Sequence, residues 1–260
     1  MRWLTPIAVG LAIVCAGSSA QASEPAFKPL MLGGQTVKWQ KRAPSGRTEV
    51  TYALVTGRWS LPGARNCPLL DPLATIADVR QLDGALLQSE VAAAFAMWEN
   101  VAAISFTEVA DPETADILIG AQVTPAGRAF ADVMVDSAHE AVLVRITAAT
   151  AGADPQARSI TRAAICLNPT HPWKLGFDGN LMAYDLRYTM AHEVGHAIGL
   201  DHPAATGSLM GYRYDERTAA LTAGDILGAI SLYGSGEAGD RTAQPNDRLV
   251  SAGAAGLPTR

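Results

Sequence analysis

The chain has 260 residues, of which 48% are apolar and 17% charged, with a net charge of −5 at neutral pH. That length suits one sizeable domain or two small lobes around a shared cleft, and the composition excludes a disordered chain. With no run of like charge and no basic stripe, nucleic acid is excluded as a partner. In chain order, residues 1–22 read as an export signal: a short basic start at Met1 and Arg2, an apolar stretch from Trp3 to Ala16, and Ala20-Gln21-Ala22 before Ser23 as a cleavage site. The apolar run is too short to span a bilayer comfortably, so a secreted or periplasmic product without a membrane anchor is expected. Cys15 leaves with the signal, and Cys67 and Cys166 remain as a disulfide candidate, two buried thiols being the alternative.

Residues 23–46 are polar and rich in Pro and Gly, which suggests a loosely packed arm or a short pro-segment. Alternation predicts a strand over 47–56. A helical pattern runs from Asp78 to Asn100, with Val91, Phe95 and Trp98 at three- and four-residue steps. Strands are expected at 103–109, 115–121, 127–135, 140–146 and 160–168, with loops at 147–158 and 169–180. Asp185 suits a helix N-cap, with Leu186, Met190, Val194 and Ile198 on one ladder below it. A last helix fits 222–233 with Thr222 as its cap, and residues 236–260 read as a flexible tail.

Three of the five histidines fall in "HEVGHAIGLDH", residues 192–202. His192 and His196 are four apart on the predicted helix and share a face. Gly199 ends that helix by taking the left-handed conformation, and the chain then turns to bring in His202. Three neutral imidazoles leave a fourth position open, the arrangement of a catalytic zinc rather than a structural one. Glu193 is offset around the helix, where a carboxylate reaches a zinc-bound water without being a ligand. A chance match at these five positions arises in about one chain in a hundred thousand of this size.

The motif resembles the HExxHxxGxxH signature of the metzincin zinc peptidases. "SLMGY" (208–212) is similar to their methionine turn, and Met210, eight residues after His202, matches the compact spacing of matrixins. Residues 37–54, 94–121 and 221–234 are similar, in order, to the matrixin entry strand, first helix with its next strands, and closing helix. The resemblance implies a mixed α/β (α+β) domain over residues 47–235, with a twisted, mostly parallel sheet, three main helices, and a zinc cleft between a large N-terminal and a small C-terminal lobe. It implies a monomeric zinc endopeptidase acting on proteins or peptides, with Glu193 as general base and Met210 as an apolar floor under the metal.

Departures from the matrixin pattern are equally specific. Pro203, and Tyr212 two residues after Met210, resemble the serralysin branch, but the glycine/aspartate nonapeptide repeats of that branch are missing. Tyr212 is a candidate oxyanion donor, whereas Tyr214 matches a matrixin tyrosine that walls the specificity pocket. With Cys15 lost in the signal, the propeptide cysteine that caps the zinc in matrixins has no counterpart ahead of the first strand. Only His139 and His171 remain for a second, structural zinc, and Ala131 or its neighbours occupy the strand where one of its histidines would sit. Calcium is a candidate second ion through Asp132, Asp136 or Asp178. Two further classes stay open: a zinc hydrolase acting on a non-peptide amide or ester, and a non-catalytic zinc-binding module.

Overall fold

A computed structural model describes residues 26–80, 82–124, 126–136, 156–204, 206–217 and 219–236. The expected export signal with Cys15, the strand at 140–146, His139, most of the 147–158 loop and nearly all of the tail lie outside the described residues.

The strands are β1 (Lys28–Pro29), β2 (Met31–Leu32), β3 (Gln35–Lys38), β4 (Thr48–Leu54), β5 (Trp59–Ser60), β6 (Leu69–Leu70), β7 (Ile104–Glu108), β8 (Ile117–Ala121), β9 (Ala129–Val135), β10 (Arg158–Leu167), β11 (Trp173–Lys174), β12 (Tyr184–Asp185) and β13 (Leu200–Asp201). The helices are α1 (Ala74–Arg80), α2 (Gly84–Glu99), α3 (Leu186–Ala197) and α4 (Ala223–Tyr233). Seven strands form the main sheet in the order β2-β3-β10-β8-β4-β7, with β9 added along β10. The pairs β3–β10, β8–β10, β4–β8 and β4–β7 are parallel; β9–β10 and β2–β3 are antiparallel. The fold is therefore mixed α+β with a mostly parallel sheet and three longer helices, α2, α3 and α4.

Both faces of this sheet are covered, so its central strands read as continuous apolar runs. All five residues of β8 are buried, and their alternation sorts them between two cores. Ile117 and Ile119 face the helices with Phe95, Trp98 and Trp39. Leu118 faces the opposite side, where it meets Val55, Leu61, Leu70 and Cys166. In that second cluster Cys67 and Cys166 are joined as a disulfide, with Cα atoms 5.8 Å apart.

Two elements differ from the sequence expectation. The helix expected over 78–100 is interrupted at Leu82–Asp83, where Asp83 takes an extended conformation and accepts the Ala85 N–H at 2.8 Å. The Asp83 side chain caps the start of α2 there, although the apolar periodicity runs past the break. The segment read as a loose arm is packed: β1–β3 lie within it, Val37 is fully buried, and Trp39 is 1% exposed. Its Trp39 indole N–H donates to the Ala197 carbonyl at the end of α3, 3.0 Å away. That partner is 158 residues distant, which is why the local composition hides the burial.

Candidate metal centre

The site is built on α3, and α3 is held along its length. Asp185 caps it by accepting the Tyr188 N–H at 2.7 Å and also takes the Gly176 N–H at 2.6 Å. Glu90 on α2 forms a two-pronged ion pair with Arg187, at 2.6 and 2.8 Å. The Trp98 indole donates to the Ala191 carbonyl at 2.8 Å, and the Tyr233 hydroxyl to that of Ile198 at 2.6 Å. Close contact matters at Gly195, where a Cβ would press into Met210 Sδ and Trp98. The chain leaves the helix at Gly199 with φ of 98°, and a Cβ there would collide with the Val37 carbonyl. Only glycine accommodates both the conformation and the approach.

This geometry brings His192, His196 and His202 together. Their Nε2 atoms form a triangle with edges of 3.1, 3.1 and 3.2 Å. Among the described residues they are the one group of three or more His, Cys, Asp or Glu able to share a metal ion. His192 Nδ1 lies 2.7 Å from the Leu209 carbonyl and His196 Nδ1 2.8 Å from that of Leu200. A carbonyl can only accept, so each Nδ1 carries the proton and each Nε2 presents a lone pair. Lone pairs facing one another at 3.1 Å repel unless a cation sits among them. A tetrahedral zinc with Zn–N of about 2.0–2.1 Å needs nitrogens roughly 3.3 Å apart, so the donor set fits zinc.

Electrostatics favour the same state. Burial pushes His192 down to about 3, with the neighbouring His196 adding to it, and His196 down to about 4. His202 is lowered too, first by burial. Neutral imidazoles are what a metal requires. Glu193 is 6% exposed and lines the cavity beside the triangle. Burial pushes its carboxyl up to about 8, opposed by the positive charge of Arg128.

The methionine turn is fixed from α4. Asp225 accepts the backbone N–H groups of Leu209 and Met210, and also the N–H and hydroxyl of Thr222 in its capping box. Met210 is buried beneath the helix. Tyr212 stands at the cleft, 79% exposed, its ring centroid 5.3 Å from that of His202. Tyr214 is held differently: its hydroxyl donates to Glu216 at 2.7 Å and accepts the Asp185 N–H at 2.8 Å. Its ring stands edge-on to Tyr184 and Tyr188, and all three line the cavity.

The aspartates considered for calcium each have protein partners. Asp132 accepts the N–H groups of Asn66 and Cys67 at 2.6 and 2.7 Å, Asp136 pairs with Arg158 at 3.6 Å, and Asp178 pairs with Lys174. His171 lies on the cavity wall, its ring 6.1 Å from that of Tyr184.

The sequence model of the matrixin family (peptidase M10) matches residues 75–234. The chain belongs to the matrixin family. As a matrixin it is 30% identical over 148 residues to metalloendoproteinase 1-MMP of Arabidopsis thaliana, covering 54% of this chain and 36% of that protein. It is also 30% identical over 150 residues to matrix metalloproteinase-23 of Rattus norvegicus and of Homo sapiens, covering 55% of this chain and 36% of each relative. The matched stretch thus spans little more than a third of these relatives. Sequence reasoning missed two residues of this matrixin site, Asp225 and Arg128. The Thr222-x-x-Asp225 spacing signals a capping box, but nothing local signals the bonds from Asp225 to residues 209 and 210.

Proposed function

We propose that this matrixin is an exported zinc endopeptidase, with His192, His196 and His202 holding the ion and Glu193 as general base. The observation that carries the reading is the triangle of Nε2 lone pairs with a buried, cavity-facing carboxylate one residue after its first member. When bound, zinc supplies Lewis-acid chemistry, acidifying water toward neutral pH and polarising a carbonyl.

The protein's own groups do the rest. Among the described residues the Glu193 carboxylate has no hydrogen-bond partner, so it is free to take a proton from the attacking water and deliver it to the leaving amine. Burial makes it more basic than an ordinary carboxylate, and the positive charge of Arg128 opposes that shift. Strand β9 pairs with β10 on one side, and its residues Ala129 to Met134 line the cavity. An extended peptide can add to its other edge through backbone hydrogen bonds, which brings a scissile amide across the site whatever its side chains. Tyr212, within reach of His202 and exposed to the cleft, is placed to donate its hydroxyl to a developing oxyanion. Export accords with the signal-like pattern of residues 1–22 and with the Cys67–Cys166 bridge, which suits an oxidising compartment.

The test is digestion of casein and of a peptide library by zinc-loaded protein, with and without chelator and after zinc is restored. Chelator-sensitive cleavage of amide bonds supports the reading. Hydrolysis confined to non-peptide esters or amides, or zinc binding with no turnover, would replace it with one of the two other classes.

A further inference from the structure

Arg128 immediately precedes β9, and its carbonyl accepts the Asn168 N–H at 2.8 Å, which ties its backbone to the end of β10. Its guanidinium lies 4.2 Å from the centre of the Tyr184 ring and 5.9 Å from that of Tyr214. A guanidinium stacked on an aromatic face keeps its in-plane N–H donors available, in a fork that matches a carboxylate. Arg128 forms no ion pair with any described residue.

The acids around it are engaged elsewhere. Asp132 holds the Asn66 and Cys67 N–H groups, and Glu216 is bound to Lys174 at 2.5 Å and to Tyr214. Arg65 and Arg213 line the same cavity and are exposed. Three guanidinium groups thus line a cleft whose own carboxylates are Asp132 and Glu193, in a chain of net charge −5. An excess of positive charge in a cleft concentrates anionic ligands there.

We propose that Arg128 is a specificity residue that receives a side-chain carboxylate of the substrate beside the scissile bond, making acidic peptides the substrate class. The proposal rests on the peptidase reading of the same site. The tyrosine wall accepts the methylenes of a glutamate while the fork takes its carboxylate in two parallel hydrogen bonds. A neutral isostere in the same place leaves a half-buried cation without a partner, which is where discrimination arises.

The experiment uses peptides blocked at both ends, identical except for Glu, Gln or Leu at the positions flanking the bond. With zinc-loaded protein, Glu should exceed Gln by about 10–100-fold in kcat/KM, and the advantage should shrink with added salt. In Arg128→Gln the Glu/Gln ratio should fall to near one; Arg128→Lys, which keeps the charge but not the fork, should be intermediate. Binding of the same peptides to zinc-loaded Glu193→Gln, with and without Arg128→Gln, reads the contact without turnover. A Glu/Gln ratio of one in the wild type, or one that Arg128→Gln leaves unaltered, overturns the proposal. If no peptide is cleaved at all, the peptidase reading fails, and the binding comparison still decides the carboxylate claim.

Discussion

Asp225 on α4 accepts the Met210 backbone N–H at 3.1 Å, and its other oxygen takes that of Leu209 at 2.9 Å. The Leu209 carbonyl in turn orients His192. A buried carboxylate therefore sets the imidazole from 33 residues away in sequence. Asp225→Asn replaces one accepting oxygen with a donor that faces an N–H. We expect a loss of about 2–4 kcal/mol of stability and roughly 10–100-fold weaker zinc binding. Thermal denaturation and zinc competition against a chromophoric chelator measure the two effects. Unchanged zinc affinity in a folded Asp225→Asn protein would remove Asp225 from the site.

The Cys67–Cys166 bridge links β10 to the loop whose Asn66 and Cys67 N–H groups hold Asp132 on β9. It closes a loop with a sequence separation of 99, for which chain entropy predicts up to about 4–5 kcal/mol. The double variant Cys67→Ser/Cys166→Ser should melt markedly lower, and alkylation of unreduced protein should leave its mass unchanged. Two alkylated thiols in unreduced exported protein would contradict the bridge.

The metal-free protein should have a stability optimum set by the site. His192 and His196 are held near 3 and 4, below their ordinary 6.5, so the unfolded chain binds more protons between those values. Stability conferred by these histidines is lost as pH falls below about 6.5. Glu193 is raised from 4.5 to about 8, so the folded chain binds the extra proton there, and stability falls as pH rises through that window. Two histidines outweigh one glutamate between 4.5 and 6.5, and Glu193 acts alone above, which places the optimum near pH 6.5. Melting temperatures of chelated protein at pH 5, 6.5 and 8 check this. Glu193→Gln should remove the alkaline decline; the same decline in that variant would refute the assignment.

Tyr212 and Tyr214 should separate by function. Tyr212→Phe removes a cleft hydroxyl that has no hydrogen-bond partner among the described residues, and kcat should fall by roughly 10–10³-fold with little change in KM. Tyr214→Phe breaks the link between Glu216 and the Asp185 N–H, so it should lower stability and alter peptide selection. An unchanged kcat in Tyr212→Phe, on a peptide for which chemistry is rate-limiting, would leave Glu193 as the sole protein group in the chemical step.

What the sequence made legible was local. The histidine pair, the turn at Gly199, the Asp185 and Thr222 caps and most main strands depend on spacings within one or two elements. Tertiary dependence hid the rest. Trp39 looked like part of a loose arm because its partner, the Ala197 carbonyl, belongs to the zinc-motif helix. Asp225 passed unnoticed beside the Thr222 cap because residues 209 and 210 reach it only after the chain has turned under α3. Arg128 stood as a single cation within the strand expected at 127–135, and the tyrosines that seat it lie 56 and 86 positions further on. The break before α2 was visible as Asp83-Gly84, but the surrounding apolar periodicity masked it.

The central claim is that Glu193 is a base and not a ligand, and Glu193→Ala measured for zinc content and peptide turnover together tests it most directly. Glu193→Ala should retain about one zinc per chain while kcat/KM falls at least ~10³-fold, as expected when a general base is removed. Near-normal turnover in zinc-loaded Glu193→Ala, or loss of the zinc itself, would contradict the account.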